Sequence, residues 1–346
     1  MEHPNKEPGG RPEVPAFIGR LLNNGPVSFF RYIEACLYDP KDGYYRRSRR
    51  RVGQDPDTDF FTSTTHRRLF GPLILEAARS LTGLRSADWQ TVIEVATEPE
   101  GGLFEDSADF DYRAIPLGQS LSLKGGPLLV VANEWLDAQP FHRLEFFENR
   151  WWELGVALGA DGLTEIRLHG FSPEVEPYRR ELPDSAPSGY RIDLPTGATE
   201  VLDQLLQGTW SGLFLCFDYG TSWTALGRDF PAGTARTYQH HRQGSDLFET
   251  PGERDITCHL CWDHLIRRME AHRFKELKVE RQEAFLMQHA GALIAQWMQS
   301  SEFAGMRGPL RELLHPAYLG AAFQVLIGQR FPGGVAAPEK SVPTGP

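Results

Sequence analysis

The stretch that most constrains this chain is residues 128–143, LLVVANEWLDAQPFHR. It opens with a continuous apolar run behind Gly125-Gly126-Pro127, the pattern of a short strand buried on both faces of a parallel sheet. A strand of that kind belongs to an α/β architecture. The run breaks at Asn133-Glu134, and Asp137 follows three residues on. Ligands of open α/β sheets sit beyond the carboxyl ends of the strands, so polar groups at this point are placed to do chemistry. The spacing also suits a plain structural role, with Asn133 capping a helix and Glu134 and Asp137 in its first turn.

The same break recurs. Residues 212–217 (GLFLCF) form a second buried-strand pattern ending in Asp218-Tyr219-Gly220. Residues 90–95 (QTVIEV) form a third, which carries Glu94 and runs into Ala96-Thr97, with Gly101-Gly102 further on. Two late strands are expected at 276–280 and 323–328, separated by an apolar-faced helix over 285–298. Helices are also expected over 16–24, from Ser28 until Asp39-Pro40 stops it, and over 66–81, 197–208 and 262–272. Between 141 and 168 three segments alternate as antiparallel strands, with Glu148-Asn149-Arg150 and Gly159-Ala160-Asp161-Gly162 as turns. Trp151 and Trp152 read as packing residues there.

At 346 residues the chain has room for two domains, or for one α/β domain with an inserted subdomain. The excess of 46 Asp and Glu over 36 Lys and Arg argues against a nucleic-acid footprint. The run Arg46, Arg47, Arg49, Arg50, Arg51 reads as a solvated loop, because no aromatic-interleaved groove accompanies it. Cys258-x-x-Cys261, with His259 and His264 nearby, has no second C-x-x-C to complete a zinc site, so its side chains are assigned to the core and no metal is expected. The opening residues resemble neither a signal nor a transit peptide, and no apolar run approaches membrane-spanning length. A reduced, cytoplasmic protein is expected, with tails of disordered composition at 1–14 and 332–346.

Several blocks together carry a resemblance. They are N-E-x-L-D-A-x-P from Asn133 followed by a basic residue, S-F-F-R-Y-I-E-A-C-L-Y-D-P-K-D-G-Y-Y from Ser28, and Asp59-Phe60-Phe61-Thr62 before Leu69-Phe70-Gly71. Asp218-Tyr219-Gly220 adds another, with Thr234-x-Arg236-x-Tyr238-x-x-His241-Arg242 and Pro251-Gly252-x-x-Asp255-Ile256-Thr257-x-His259. The chain resembles the MidA-like family of class I S-adenosylmethionine (SAM) methyltransferases. The likeness implies a Rossmann-like sheet over 86–140 and 195–331, an inserted β-rich subdomain over 141–194, and an N-terminal helical extension over 15–85. It implies SAM as cofactor, held by Asp59, Glu94, Ala96, Thr97, Gly101, Gly102 and Asn133. It further implies N-methylation of an arginine in a protein substrate. Glu134 and Asp137 would then orient the guanidinium, with His241 and Asp255 as secondary polar contacts and Asp218 and Tyr219 on the substrate.

The chain departs from the family pattern in two places. Ala96, Glu98 and Glu100 stand where E-x-G-x-G-x-G would place glycine, with Pro99 between the last two. Only 39 residues separate Glu94 from Asn133, where the family fits a helix, a strand with a ribose-binding carboxylate and another helix. Asp109 or Asp111 could supply that carboxylate or belong to an acidic loop. Such departures also fit a second reading, a catalytically inactive protein of the same fold that serves as an assembly factor. The expected partners are a protein substrate or assembly partner and a second copy of the chain, with no nucleic acid and no membrane.

Overall fold

The computed structural model describes residues 14–47, 51–53, 58–59, 63–97, 101–105, 110–119, 121–315, 320 and 323–332. The expected tails, Thr62, Asp109, Arg49, Arg50, Glu98, Pro99 and Glu100 lie outside the described residues, apart from Val14 and Pro332 at the tail borders. The chain divides into two compact units.

One unit comprises Arg50–Asp137, Thr199–Ser222 and Leu260–Pro346. It holds a six-stranded sheet in the order Lys275–Arg281, Gln324–Arg330, Thr209–Asp218, Lys124–Asn133, Thr91–Thr97 and Tyr112–Pro116. The last four strands run parallel, and Gln324–Arg330 is antiparallel to both of its neighbours. The two central strands are apolar at nearly every position and buried on both faces, Leu129, Val130, Val131 and Ala132 wholly so. Alternate residues of these strands, Leu129, Val131, Leu213, Leu215 and Phe217, pack with Leu69, Phe70, Leu73 and Ile74 of the helix Arg67–Thr82 and Phe285 and Leu286 of the helix Gln282–Gln299. Gly83, left-handed at φ 76, ends the first of these helices by donating its amide to Arg79 O.

Three expectations change here. The central strand starts at Lys124, so Gly125-Gly126-Pro127 lies within it, at a register shift between Gly125 and Leu128. No helix follows Asn133, which is the last strand residue and pairs with Phe217; residues 134–140 turn back without helical structure. The helix-capping alternative for Asn133 is therefore excluded. The compressed segment between Glu94 and Asn133 keeps a strand, Tyr112–Pro116, parallel to Thr91–Thr97. Helices are absent from its described residues.

The other unit comprises the described residues of Met1–Arg49 with Ala138–Ala198 and Trp223–His259. Its larger sheet is antiparallel, with Val27–Ser28, Arg150–Gly159, His142–Phe147 and Tyr190–Leu194 in order and Gly162–Arg167 also paired to Arg150–Gly159. The alternating segments thus form the expected hairpins. Asp193 organises this unit. Its carboxylate accepts from Arg143 Nε (2.7 Å) and from the amides of Thr234 (2.6 Å) and Ala235 (2.7 Å), so the buried charge is fully engaged. Thr234 Oγ1 accepts in turn from the His259 amide (3.1 Å), which joins two of the sequence blocks through one hydroxyl. His240 and His241 form the two-residue loop of the hairpin Arg236–Gln239 and Arg242–Gly244, both left-handed at φ 49 and 58.

Candidate functional site

The carboxyl ends of Thr91–Thr97, Lys124–Asn133 and Thr209–Asp218 lie side by side, since Val95 pairs with Ala132 and Asn133 with Phe217. Each strand breaks into polar residues at the same level. The Glu134 amide donates to Phe217 O (2.8 Å), which keeps the first residue beyond the central strand tied to its neighbour. Glu134 is left-handed at φ 51, and its Oε1 accepts from Asn133 Nδ2 (2.9 Å).

Asp218 is the hub of this edge. It is completely buried, and its Oδ2 accepts from the amides of Leu136 (3.0 Å) and Asp137 (3.2 Å) while Oδ1 accepts from Tyr219 N (2.9 Å). These bonds pull the turn after the central strand into place and explain why it does not continue as a helix. Burial holds the Asp218 carboxyl well above the usual carboxylate range, and the charges of Asp137 and Glu134 push the same way. The acidic side chains of Glu134, Asp137 and Asp218 thus share one sheet edge, with the Asp218 oxygens turned to backbone amides. Tyr219 sits edge-on to Phe323 and accepts from the Leu260 amide through its carbonyl.

On the adjoining strand, Ala96 sits in a bulge between Val95 and Thr97 at φ 61, a conformation glycine adopts freely. Gly101, at φ 117, and Gly102 follow, and a Cβ on Gly102 would collide with the Tyr112 hydroxyl and lie 2.6 Å from Glu94 Oε2. Glu94 is buried, and its Oε2 accepts from Leu103 N (2.7 Å) and Tyr112 Oη (2.8 Å). Burial pushes its carboxyl up to about 7 against the opposing effect of those two donors. Gly71 lets the helix Arg67–Thr82 approach so closely that a Cβ there would strike Leu103 O. Asp59 is buried, its amide donating to Arg51 O (2.8 Å).

Of the residues expected from sequence, Asp59, Glu94, Ala96, Thr97, Gly101, Gly102, Asn133, Glu134, Asp137, Asp218 and Tyr219 all belong to the unit with the parallel sheet. His241 and Asp255 belong to the other unit. His241 is exposed on its hairpin, and Asp255 is buried and accepts from the Tyr45 hydroxyl (2.9 Å). Sequence reasoning missed Tyr112 and Leu103. Nothing local in the sequence marks either residue. The four cysteines are buried and none is in a disulfide. None of the described helices is long and apolar enough to cross a membrane.

A parallel sheet with one antiparallel strand next to its edge strand, and a ligand edge at the central carboxyl ends, defines the class I methyltransferase fold. The match extends to a crystal structure of a Burkholderia thailandensis protein described as a "likely methyl transferase" and bound to S-adenosyl-homocysteine. It has a TM-score of 0.75 at 19% identity over 91% of this chain and 90% of that one. A native crystal structure of an uncharacterized protein of the same superfamily and organism gives 0.72 at 20% identity, over 94% and 93%. No curated protein matches the sequence. The model of one family, described as "Putative S-adenosyl-L-methionine-dependent methyltransferase", matches residues 105–279, just over half of the chain. The chain belongs to that family, whose cofactor is SAM.

The strand ends fit that cofactor. Thr97 Oγ1 and Asn133 Oδ1 are both buried, lie at the ends of adjoining strands and have no hydrogen-bond partner among the described residues. Leaving such atoms unpaired costs about 1–3 kcal/mol each, so a polar ligand at this edge stabilises the folded chain.

Proposed function

We propose that the chain is a SAM-dependent N-methyltransferase of the MidA-like type, and that its acceptor is an arginine side chain of a protein. The observation that carries this reading is the grouping of Glu134, Asp137 and Asp218 at the central carboxyl edge, beside the unpaired Asn133 Oδ1. When bound, SAM supplies an electrophilic methyl on a sulfonium. The protein's share is alignment and proton management. A guanidinium is always charged and offers five donors in a plane, which suits more than one carboxylate. Glu134 and Asp137 orient it and draw off positive charge as the nitrogen attacks. Asp218 acts through the backbone, because its carboxylate fixes the amides of Leu136 and Asp137. Thr97 and Asn133 would hold polar groups of the cofactor.

The test uses methyl-labelled SAM and arginine-containing peptides. Glu134→Gln keeps the acceptor for Asn133 Nδ2 but removes the charge, and methyl transfer is expected to fall at least about tenfold, roughly 1.4 kcal/mol in the barrier. Undiminished transfer by that variant would refute the role given to Glu134. Two observations favour the inactive-scaffold reading: Ala96 holds a left-handed conformation in the strand bulge where glycine would be unstrained, and Glu94 is engaged by the chain's own Leu103 and Tyr112. Calorimetry with S-adenosyl-homocysteine separates the two readings, since a scaffold that has lost the cofactor gives no heat at millimolar ligand.

A further inference from the structure

We propose that Tyr112 and Glu94 form a clamp that positions the segment after the strand Thr91–Thr97, residues 101–105, at the cofactor edge, replacing what glycines supply elsewhere in the fold. The proposal rests on the reading that the chain binds SAM. A glycine-rich turn reaches a cofactor through backbone freedom. Here the freedom is gone at Ala96, and the segment is held by side chains instead.

The geometry is specific. A single oxygen, Glu94 Oε2, receives both the Leu103 amide (2.7 Å) and the Tyr112 hydroxyl (2.8 Å), so the segment, the strand Thr91–Thr97 and the strand Tyr112–Pro116 meet at one atom. Gly102 is the residue that lets them meet, for any side chain there would displace the tyrosine hydroxyl. Phe104 then packs against the Tyr112 ring at 5.9 Å, and Gly71 accommodates the Leu103 carbonyl from the helix side. Among the described residues, the ionisable groups acting on Glu94 are Tyr112 from the neighbouring strand, Glu105 from the segment itself and Arg67 from the helix, the last two 4.0 Å apart. The Tyr112 and Leu103 bonds favour the charged carboxylate, as does Arg67, while burial and Glu105 oppose it. A charge-assisted bond is the stronger one, so the clamp tightens as Glu94 ionises.

Tyr112 and Glu94 are therefore positioning residues, and their signature is a pH profile. The experiment titrates S-adenosyl-homocysteine into the full chain by calorimetry between roughly pH 5.5 and 8.5, comparing wild type with Tyr112→Phe and Glu94→Gln, and follows hydrogen exchange at the Leu103 amide. The wild-type affinity is expected to weaken as pH falls through about 7. Tyr112→Phe keeps the ring but removes a donor that favours the carboxylate, so the profile moves to higher pH and the affinity near neutrality drops about threefold to tenfold. Glu94→Gln flattens the profile, and Leu103 exchanges faster in both variants. Wild-type binding with unshifted profiles and unchanged Leu103 exchange in both variants overturns the clamp while leaving the methyltransferase reading intact. No binding by the wild type overturns both.

Discussion

Ala96 places a Cβ where the backbone conformation disfavours one, at φ 61 on the ligand edge of the sheet. Glycine at that position removes the strained Cβ. Ala96→Gly is expected to stabilise the chain by about 1 kcal/mol, less a few tenths for the added freedom of the unfolded state. Urea denaturation checks this, and a loss of stability would show that the methyl group does packing that the bulge cannot spare. Gly102→Ala should act in the opposite sense, because its Cβ meets the Tyr112 hydroxyl and Glu94 Oε2 at once. The same denaturation measurement should show a loss of about 1–3 kcal/mol, the range for an overpacked buried site.

At the scale of elements, Arg330 ties three segments to the end of the last strand. Its Nε donates to Trp210 O (2.9 Å), Nη1 to Leu206 O (3.0 Å) and His272 O (3.3 Å), and Nη2 to Gly208 O (2.7 Å). Leu206 closes the helix Thr196–Leu206 and His272 caps Trp262–Ala271, so one cation serves two helix C-termini where carbonyls lack partners. The guanidinium also lies over the rings of Trp210 and Phe274. Lysine cannot reproduce a planar fork, so Arg330→Lys should destabilise the fold by about 2 kcal/mol in thermal or urea unfolding. Strand and helix order in this region was legible, because apolar runs and caps are local signals. The Arg330 hub was not, since its partners lie between 58 and 124 residues away in sequence. The same reason hid Asp218: D-Y-G marked a strand end, but nothing in the sequence says that its carboxylate reaches amides 81 and 82 residues earlier. The capping alternative at Asn133 failed because that long-range bond outcompetes the local one.

Across the molecule, buried acids set the response to pH. Glu94 is raised from 4.5 to about 7, and Asp218 and Glu153 are raised as well, each mainly by burial. In the unfolded chain these groups ionise at ordinary values, so their contribution is fully present below about pH 4 and is lost as pH rises through the folded values. His142 acts at the acid end. Burial lowers it to about 3, so its contribution holds above about 6.5 and disappears as pH falls through 3. The thermal midpoint is therefore expected to rise as pH is lowered from about 8 to about 6.5, with Glu94 alone giving about 1 kcal/mol. Glu94→Gln should remove that share of the slope. A flat wild-type profile would mean that Glu94 titrates near the ordinary carboxylate range.

Tyr112–Pro116 is the outermost strand of its sheet, and among the described residues no strand pairs with its free side. An edge like that invites another extended chain to add itself. Here the rim is short, at five residues, and it is broken by a proline and bears the exposed Arg113. The free side of this strand is thus an open ladder whose residues discourage self-templated aggregation.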